Sequence, residues 1–313
     1  MKDFEGSFTT HGIDIWSSKE DPNVVFIYAV NHVPNLEYYE KKAAGTLTAE
    51  DNKARSRIEI FKHTIGSSEA DHVQTISHPL IRTPNDILAT SPTTFYVTND
   101  HYYREGAARG FEEFGFQKLA PWTDIVHVTW KPLEKAVQGE DFIVEVAHKG
   151  IHNNNGLGRG KNDNEMLIVS AASGVLRLAE RWNGQIPFTI KDTIQLDTSI
   201  DNPFYFHDIY SKTGHDASGY VLAGLTRSFE LSDTRLESDG VDPGIVWLVQ
   251  RDPKASGGWK KSIIFQDDGK TIRAASTAVI IPIDPSTNEG LKQGWLFVTG
   301  FLAESIIATK VDL

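Results

Sequence analysis

The chain has 313 residues, of which 40% are hydrophobic, and its formal net charge at pH 7 is -11. This acidic balance argues against a nucleic-acid-binding protein, because phosphate binding needs clustered Lys and Arg side chains. No apolar stretch approaches the ~18 residues of a transmembrane segment, and the absence of cysteine excludes disulfide and thiolate chemistry. Residues 1–12 contain no apolar core of a secretory leader, so the sequence does not support secretion and leaves the compartment open.

Five short polar couplets recur along the chain, and each opens an apolar strand. They are Thr10-His11, Asn85-Asp86, Asn154-Asn155, Asp201-Asn202 and Ser276-Thr277. A second apolar strand follows each couplet, and these second strands start roughly 55 to 75 residues apart, at Val24, Thr94, Glu165, Tyr220 and Gly294. This spacing is typical of a radially repeated four-stranded sheet, which is the blade of a β-propeller with long loops.

The outer strands of each unit show alternating apolar and polar residues. Residues 58–63, 126–130 and 175–180 have the period of two expected for strands with one face in a core. Helical signal is weak, and the best candidate is residues 103–120, which is interrupted by glycines. The sequence therefore predicts an all-β protein with a single propeller domain over residues 1–313.

The fifth unit ends after its third strand, and we expect the first unit to be incomplete as well. A propeller usually closes when strands from both termini share one blade, because an unpaired edge strand is otherwise left exposed. Two arrangements are open at this point. One is a compact ring of five units, and the other is a larger propeller whose missing strands belong on the N-terminal side.

The couplets also carry a functional prediction. If the strands that they open are the innermost strands, all five couplets converge on one end of the central channel. A ring of Asn, Asp and His donors around an axis indicates a metal site. The alternative is that each couplet is a turn that satisfies local backbone groups, but recurrence in register favours the metal site.

The order of motifs resembles the paraoxonase/arylesterase family of calcium-dependent six-bladed propellers. The motifs are THGIDIW from Thr10, PNDILAT from Pro84, VTNDHYY from Val97, NNGLG from Asn154, SIDNPF from Ser199 and STAVI from Ser276. The resemblance implies a six-bladed β-propeller that here lacks most of its first blade. It also implies a hydrolase of small-molecule lactones or aryl esters, with one catalytic and one structural calcium ion.

The resemblance further implies which residues hold the calcium ions. The implied ligands of the catalytic ion are Asn85, Asn155, Asp201 and Asn202. Asp86 and the backbone carbonyl of Ile13 look like ligands of the structural ion. Calcium takes about six to eight oxygen ligands, and amide oxygens supply these without excess charge. A calcium ion with an open position can polarise an ester carbonyl.

Three histidines match the family's pocket. His11 resembles the proposed general base, and His32 resembles the partner that orients it. An imidazole with a pKa near neutrality can accept a proton from water, and a second imidazole can fix its tautomer. His101 resembles a histidine that lines the substrate pocket. On its own, His11 could equally be a core histidine whose hydrogen bonds are satisfied.

Two departures from the family keep other functions open. The adjacent Glu-Asp pair that binds both calcium ions has no counterpart before His11, and a further pocket histidine is replaced around Thr226. One alternative is a catalytically inactive or truncated propeller that acts as a binding module. Another is an enzyme related to the strictosidine synthase or gluconolactonase propellers, because the fold alone does not decide between these functions.

The long aromatic segment from Tyr102 to Trp122 follows His101 directly. In the family topology this segment lies over the tunnel mouth, so we expect it to shape access to the pocket. An acidic protein repels anions, which favours substrates with apolar acyl chains or rings.

Overall fold

The computed structural model describes residues 1–48, 51–114, 119–132, 141–181 and 186–313. These residues divide into two compact units, Met1–Asn154 and Asn155–Leu313. Each unit has its own sheets and its own apolar core, and the single-domain interpretation of residues 1–313 stays a prediction.

The first unit contains two four-stranded antiparallel sheets in which each strand pairs with the next one along the chain. The strands of the first sheet are β1 (Thr10–Ser17), β2 (Val24–Pro34), β3 (Ala54–Thr64) and β4 (Ala70–Ile76). Those of the second sheet are β5 (Pro84–Ser91), β6 (Thr94–Asn99), β7 (Thr123–Trp130) and β8 (Phe142–Ile151). This sequential order is that of propeller blades.

The second unit contributes three more antiparallel sheets with sequential strand order. The strands of the third sheet are β9 (Asn154–Arg159), β10 (Glu165–Ser170), β11 (Val175–Glu180) and β12 (Thr189–Gln195). Those of the fourth sheet are β13 (Pro203–Phe206), β14 (Gly219–Leu225), β15 (Gly244–Arg251) and β16 (Trp259–Asp267). The fifth sheet has three strands, which are β17 (Ala275–Pro282), β18 (Gln293–Gly300) and β19 (Ile307–Asp312).

The core of the first unit lies between its two sheets. Tyr28 and Ile58 of the first sheet and Phe95 and Val128 of the second sheet belong to one buried cluster. The ring centroids of Tyr28 and Phe95 are 5.1 Å apart. Face-to-face packing of neighbouring sheets removes apolar area from water, which is the main driving force for this arrangement.

The second unit has two apolar clusters, each shared by consecutive sheets. One cluster joins Leu176 and Ile194 of the third sheet to the fourth sheet, and the other joins the fourth sheet to Leu296 and Val298 of the fifth. Central strands such as β14 are buried along their whole length, whereas the outer strand β12 alternates between exposed and buried residues. This difference explains why central strands read as continuous apolar runs in the sequence.

The helices are short. They are α1 (Leu36–Ala44), α2 (Ala107–Phe114) and α3 (Leu231–Thr234), together with single 3₁₀ turns at Ser211–Thr213, Ser228–Glu230, Ser256–Gly258 and Pro285–Thr287. In the described part of the chain, none of the helices is long and apolar enough to span a bilayer. The helix predicted over residues 103–120 is therefore confirmed only for its middle, and residues 115–118 lie outside the described residues.

Helix α1 was missed by the sequence reading. It ends at Gly45, which has φ 69°, and the N–H of Thr46 donates to the carbonyl of Lys41 at 2.9 Å. A left-handed glycine that closes the last turn in this way is a common helix end. The nine residues of α1 are too few to form a stable helix alone, so its stability comes from tertiary contacts.

The structure confirms an all-β chain built from five propeller blades within the described residues. The fifth sheet has three strands, as predicted. The sheet that contains the first couplet, Thr10-His11, has four strands. The prediction of an incomplete first repeat was therefore wrong for this sheet. A sixth blade does not occur among the residues that the structure describes.

Candidate active site

A β-bulge lies at the start of β1. The register between β1 and β2 shifts between Thr10 and Ile13, so that His11 and Gly12 together oppose a single residue of β2. A bulge of this kind redirects side chains at the end of a strand, and such bulges often occur beside active sites. The bulge therefore sets the direction of the predicted base, His11.

The second sheet has the same irregularity at the equivalent position. The register between β5 and β6 shifts between Pro84 and Ile87, which leaves Asn85 and Asp86 in the bulge. Both of these side chains are buried. The register between β17 and β18 also shifts between Ala275 and Thr277, so three of the five couplets lie at irregularities in the first strands of their sheets.

Gly12 brings the two bulges into contact. A Cβ atom at Gly12 would lie 2.7 Å from the Cα of Asp86 and would also press against the backbone carbonyl of Asn85. Real Cβ atoms essentially never approach so closely, so a side chain would force the backbones apart. Glycine is needed here because one backbone packs directly on another.

His11 and His32 form the pair that the sequence predicted. Nδ1 of His11 is 3.2 Å from Nε2 of His32, a hydrogen-bond distance. Nδ1 of His32 is in turn 2.9 Å from the hydroxyl oxygen of Ser56 on β3. Three side chains on three neighbouring strands therefore form a continuous hydrogen-bonded chain.

The surroundings of this pair keep both rings uncharged at neutral pH. Burial lowers the pKa of His11 below its ordinary value, and the Asp100 carboxylate only partly opposes this. For His32, burial and then repulsion from His11, when that ring is protonated, and from Arg104 outweigh Asp100 and lower the pKa to about 4. A neutral imidazole has a lone pair that can accept a proton, as a general base requires.

Asp100 and His101 form a second polar pair at the end of β6. Nδ1 of His101 is 2.8 Å from a carboxylate oxygen of Asp100. Burial works to raise the pKa of Asp100, but the hydrogen bond and charge of His101 outweigh it, so the pKa falls below its ordinary value. Asp100 is therefore an anion whose field reaches His11, which links His101 to the histidine pair.

His101 presents one nitrogen without a partner. The residue is 5% exposed, and its Nε2 has no hydrogen bond to any of the described residues. Because Nδ1 is held by Asp100, the unpartnered Nε2 is the atom that remains for a bound molecule. That His101 lines a substrate pocket stays a prediction.

The predicted calcium ligands of the first unit are fixed by backbone contacts. The N–H of Asp86 donates to the hydroxyl of Thr98 at 3.0 Å, and the Asp86 carboxylate accepts from the N–H of Ile87 at 2.9 Å. Ile13 lies directly after the bulge of β1 and pairs with β2, and its side chain is half exposed. Asn85, Asp86 and Ile13 thus lie on the two strands that meet at Gly12.

The second unit repeats this construction. A Cβ atom at Gly156 would lie 2.7 Å from the backbone oxygen of Asp201 and 3.0 Å from the Cα of Asn202. The residue before this glycine is Asn155, so the third and fourth couplets are in contact in the same manner as the first and second. The repeat explains why a glycine follows the couplet in both THG and NNG.

Asn202 has an oriented side chain. Its Nδ2 donates to the hydroxyl of Thr277 at 2.9 Å, and its backbone N–H donates to the carbonyl of Ser276 at 3.0 Å. Since the amide nitrogen is engaged, the oxygen Oδ1 points away from Thr277. Burial raises the pKa of the neighbouring Asp201 to about 7.

The predicted residues divide between the two units. His11, His32, His101, Asn85, Asp86 and Ile13 belong to the first unit, and Asn155, Asp201 and Asn202 belong to the second. The convergence of all couplets on one metal site stays a prediction. No group of three or more His, Cys, Asp or Glu side chains that could hold a metal occurs in the described residues. Three of the six predicted donors are Asn amides, and a fourth is a backbone carbonyl.

Three residues that the structure connects with the predicted site had no individual role assigned from the sequence. Ser56 is a residue of SRIEIF, and only its pairing opposite His32 reveals a role. Asp100 was visible as the acidic residue of TNDHYY, but its effect on the histidine pair depends on the fold. Thr277 belongs to the fifth couplet, and its contact with Asn202 is a contact between the first strands of two sheets.

Sequence comparisons relate the chain to known proteins. The family model described as Arylesterase matches residues 3–209. Serum paraoxonase/arylesterase 2 of Gallus gallus is 28% identical over 200 residues, which cover 63% of this chain and 46% of that protein. Serum paraoxonase/lactonase 3 of Homo sapiens is 27% identical over 217 residues, which cover 69% and 49%.

A longer match is to serum paraoxonase/lactonase 3 of Rattus norvegicus, which is 27% identical over 278 residues, covering 88% of this chain and 64% of that protein. The chain spans about half the length of the chicken and human relatives. The family model covers most of the chain and includes the histidine pair and both bulges. The chain belongs to the arylesterase family.

Proposed function

We propose that this protein hydrolyses lactones or aryl esters with water, with His11 as the general base and His32 as its partner. The observation that carries the proposal is the contact of 3.2 Å between Nδ1 of His11 and Nε2 of His32, both uncharged at neutral pH. Membership of the arylesterase family supports the same class of reaction.

In the proposed reaction, Nε2 of His11 takes a proton from water as the water oxygen attacks the ester carbonyl carbon. The bond between this carbon and the leaving oxygen then breaks, and His11 returns the proton to the leaving oxygen. The products are a carboxylic acid and an alcohol, or a hydroxy acid from a lactone. His32 stabilises the transient charge on His11 by accepting a hydrogen bond from its Nδ1.

The donor set fits calcium. Asn and Asp oxygens are the ligands that calcium prefers, and the chain offers Asn85 and Asp86 in the first unit and Asn155, Asp201 and Asn202 in the second. Burial alone raises the pKa of Asp201, and a bound cation would offset the cost of its charge. We propose that these residues, with the backbone carbonyl of Ile13, bind calcium at the two sites expected for the family. Bound calcium supplies a Lewis acid that polarises the ester carbonyl.

Four exposed aromatic side chains after His101 suit an apolar substrate. Tyr102 contacts Tyr103, Tyr103 contacts Trp122, and Trp122 contacts Phe111, with ring centroids 5.1, 5.6 and 5.7 Å apart. The fully buried Glu112 of α2 accepts the backbone N–H groups of Tyr102 and Tyr103, which fixes this segment. We propose that this aromatic cluster contacts apolar acyl chains or rings of the substrate.

The test pairs metal analysis with turnover. Purified protein is assayed for calcium content and for hydrolysis of an aliphatic lactone before and after chelation. Bound calcium with activity that chelation removes supports the proposal. His11→Gln is expected to lower kcat/KM by about 10² to 10⁴, whereas His215→Gln, at an exposed histidine, leaves it unchanged.

Calcium-free protein without turnover would contradict the proposal and favour the binding module. Calcium-bound protein that hydrolyses no lactone or ester would favour a different propeller chemistry, such as that of the gluconolactonase-like enzymes. The six-bladed form remains part of the proposal for the whole protein. It is supported by the five blades in the described residues and by family membership.

A further inference from the structure

We infer that Ser56 is a positioning residue that accepts a hydrogen bond from Nδ1 of His32 and thereby sets the tautomers of both histidines. This inference rests on the proposed function of His11 as a base. Ser56 pairs directly with His32 across β2 and β3, and its hydroxyl oxygen lies 2.9 Å from Nδ1 of His32.

The argument follows from counting protons in the chain of three side chains. Two neutral imidazoles that face each other through Nδ1 of His11 and Nε2 of His32 share one proton at that contact. If Ser56 donates to Nδ1 of His32, the proton of His32 lies on Nε2 and is donated to His11. His11 then carries its own proton on Nε2 and cannot accept another there.

The opposite direction gives a competent base. If Ser56 accepts from Nδ1–H of His32, then Nε2 of His32 has a lone pair and accepts from Nδ1–H of His11. Nε2 of His11 is then free of a proton and can take one from water. The two directions of the Ser56–His32 hydrogen bond therefore correspond to an inactive and an active state of His11.

Two contacts tie the chain just before Ser56 to another segment. A guanidinium nitrogen of Arg104 donates to the backbone carbonyl of Ala54 at 2.9 Å, and Lys53 forms an ion pair with Glu105 at 3.2 Å. These contacts join the start of β3 to the segment that follows His101. A hydroxyl on a strand fixed at this point is better placed to set a tautomer than a mobile water.

The direct test is the tautomer of His32. Protein labelled with ¹⁵N at histidine is studied at pH 8 by long-range ¹H–¹⁵N correlation, and the His32 signals among the 11 histidines are assigned by their loss in His32→Gln. The expected result is protonated Nδ1 and unprotonated Nε2 in the unchanged protein. Protonated Nε2 on His32 would overturn the inference without any reference to activity.

Two variants separate positioning from a structural role. Ser56→Ala should give His32 a mixed tautomer and lower kcat for a lactone by about tenfold, on the order of one net hydrogen bond, with KM unchanged. Ser56→Thr keeps the hydroxyl on a residue that favours strands. It should show the His32 tautomer and the kcat of the unchanged protein. An unchanged tautomer in folded Ser56→Ala, or loss in Ser56→Thr equal to that in Ser56→Ala, would overturn the inference.

The tautomer measurement also separates this inference from the proposed function. An unchanged protein that hydrolyses no lactone but shows His32 protonated on Nδ1 would contradict the proposed function only. Turnover in a protein whose His32 is protonated on Nε2 would overturn the role of Ser56 and of His11 as the base, while leaving lactone hydrolysis itself in place.

Discussion

Gly12 on β1 packs directly against the backbone of Asp86 on β5, with room for no side chain between them. The same relationship recurs in the second unit, where Gly156 packs against Asp201 and Asn202. In each unit a glycine that follows one couplet lets its strand reach the next couplet. The position of the predicted donors thus depends on two close backbone contacts rather than on side-chain length.

Substitution of Gly12 tests this contact. Gly12→Ala places a Cβ 2.7 Å from the Cα of Asp86, so β1 and β5 must separate. We expect a loss of roughly 1–3 kcal/mol in the free energy of unfolding and lower activity, measured by denaturant titration and lactone turnover. Gly110→Ala is the control, because a Cβ at this helical position meets open space and should be neutral or stabilising. Equal stability and activity of Gly12→Ala and Gly110→Ala would contradict the close contact between Gly12 and Asp86.

The histidine pair predicts a pH dependence of stability. The pKa of His32 is lowered from 6.5 to about 4 in the folded protein, so the unfolded chain binds a proton at this residue more readily. The stabilising contribution of neutral His32 is therefore fully present above pH 6.5 and is lost as pH falls toward 4. We expect His32→Gln to flatten the decline of the melting temperature across this range, followed by calorimetry. If the melting temperature of His32→Gln falls with pH in parallel with that of the unchanged protein, the lowered pKa of His32 is excluded.

Thr277 should matter for calcium through Asn202. Loss of its hydroxyl in Thr277→Val frees the amide nitrogen of Asn202, so that the amide can rotate and offer nitrogen instead of oxygen. We expect calcium affinity, measured by titration calorimetry, to fall about 10- to 100-fold, which is the usual effect of a residue that orients a ligand. Thr277→Ser keeps the hydroxyl and should bind like the original protein. An unchanged calcium affinity in Thr277→Val would show that Thr277 does not orient Asn202 for calcium binding.

The aromatic cluster should control substrate choice. Trp122 contacts both Tyr103 and Phe111, and Trp122→Ala should raise KM severalfold for lactones with long acyl chains while changing short ones little. The panel is assayed in parallel with Leu236→Ala, which truncates a side chain that is 87% exposed and far from this cluster in sequence. Unchanged selectivity across the panel would show that the cluster does not touch substrate.

The sequence by itself determined the strand repeat and the polar couplets, whereas His11 and His32 were named from the resemblance to the family. These features are readable because strand periodicity and couplet spacing are local properties of the chain. Short helices are less readable, and α1 was missed because nine residues carry little helical preference without the contacts that stabilise them.

Only the tertiary structure decided how these elements meet. The pairing of Ser56 with His32 depends on strand register across a connection of about twenty residues, and a one-residue slip would turn Ser56 to the other face. The approach of Gly12 to Asp86 and of Thr277 to Asn202 joins strands of different sheets, 74 and 75 residues apart in the chain. Such contacts are set by the packing of sheets against each other, because burial of apolar faces fixes distances that no local pattern in the sequence records.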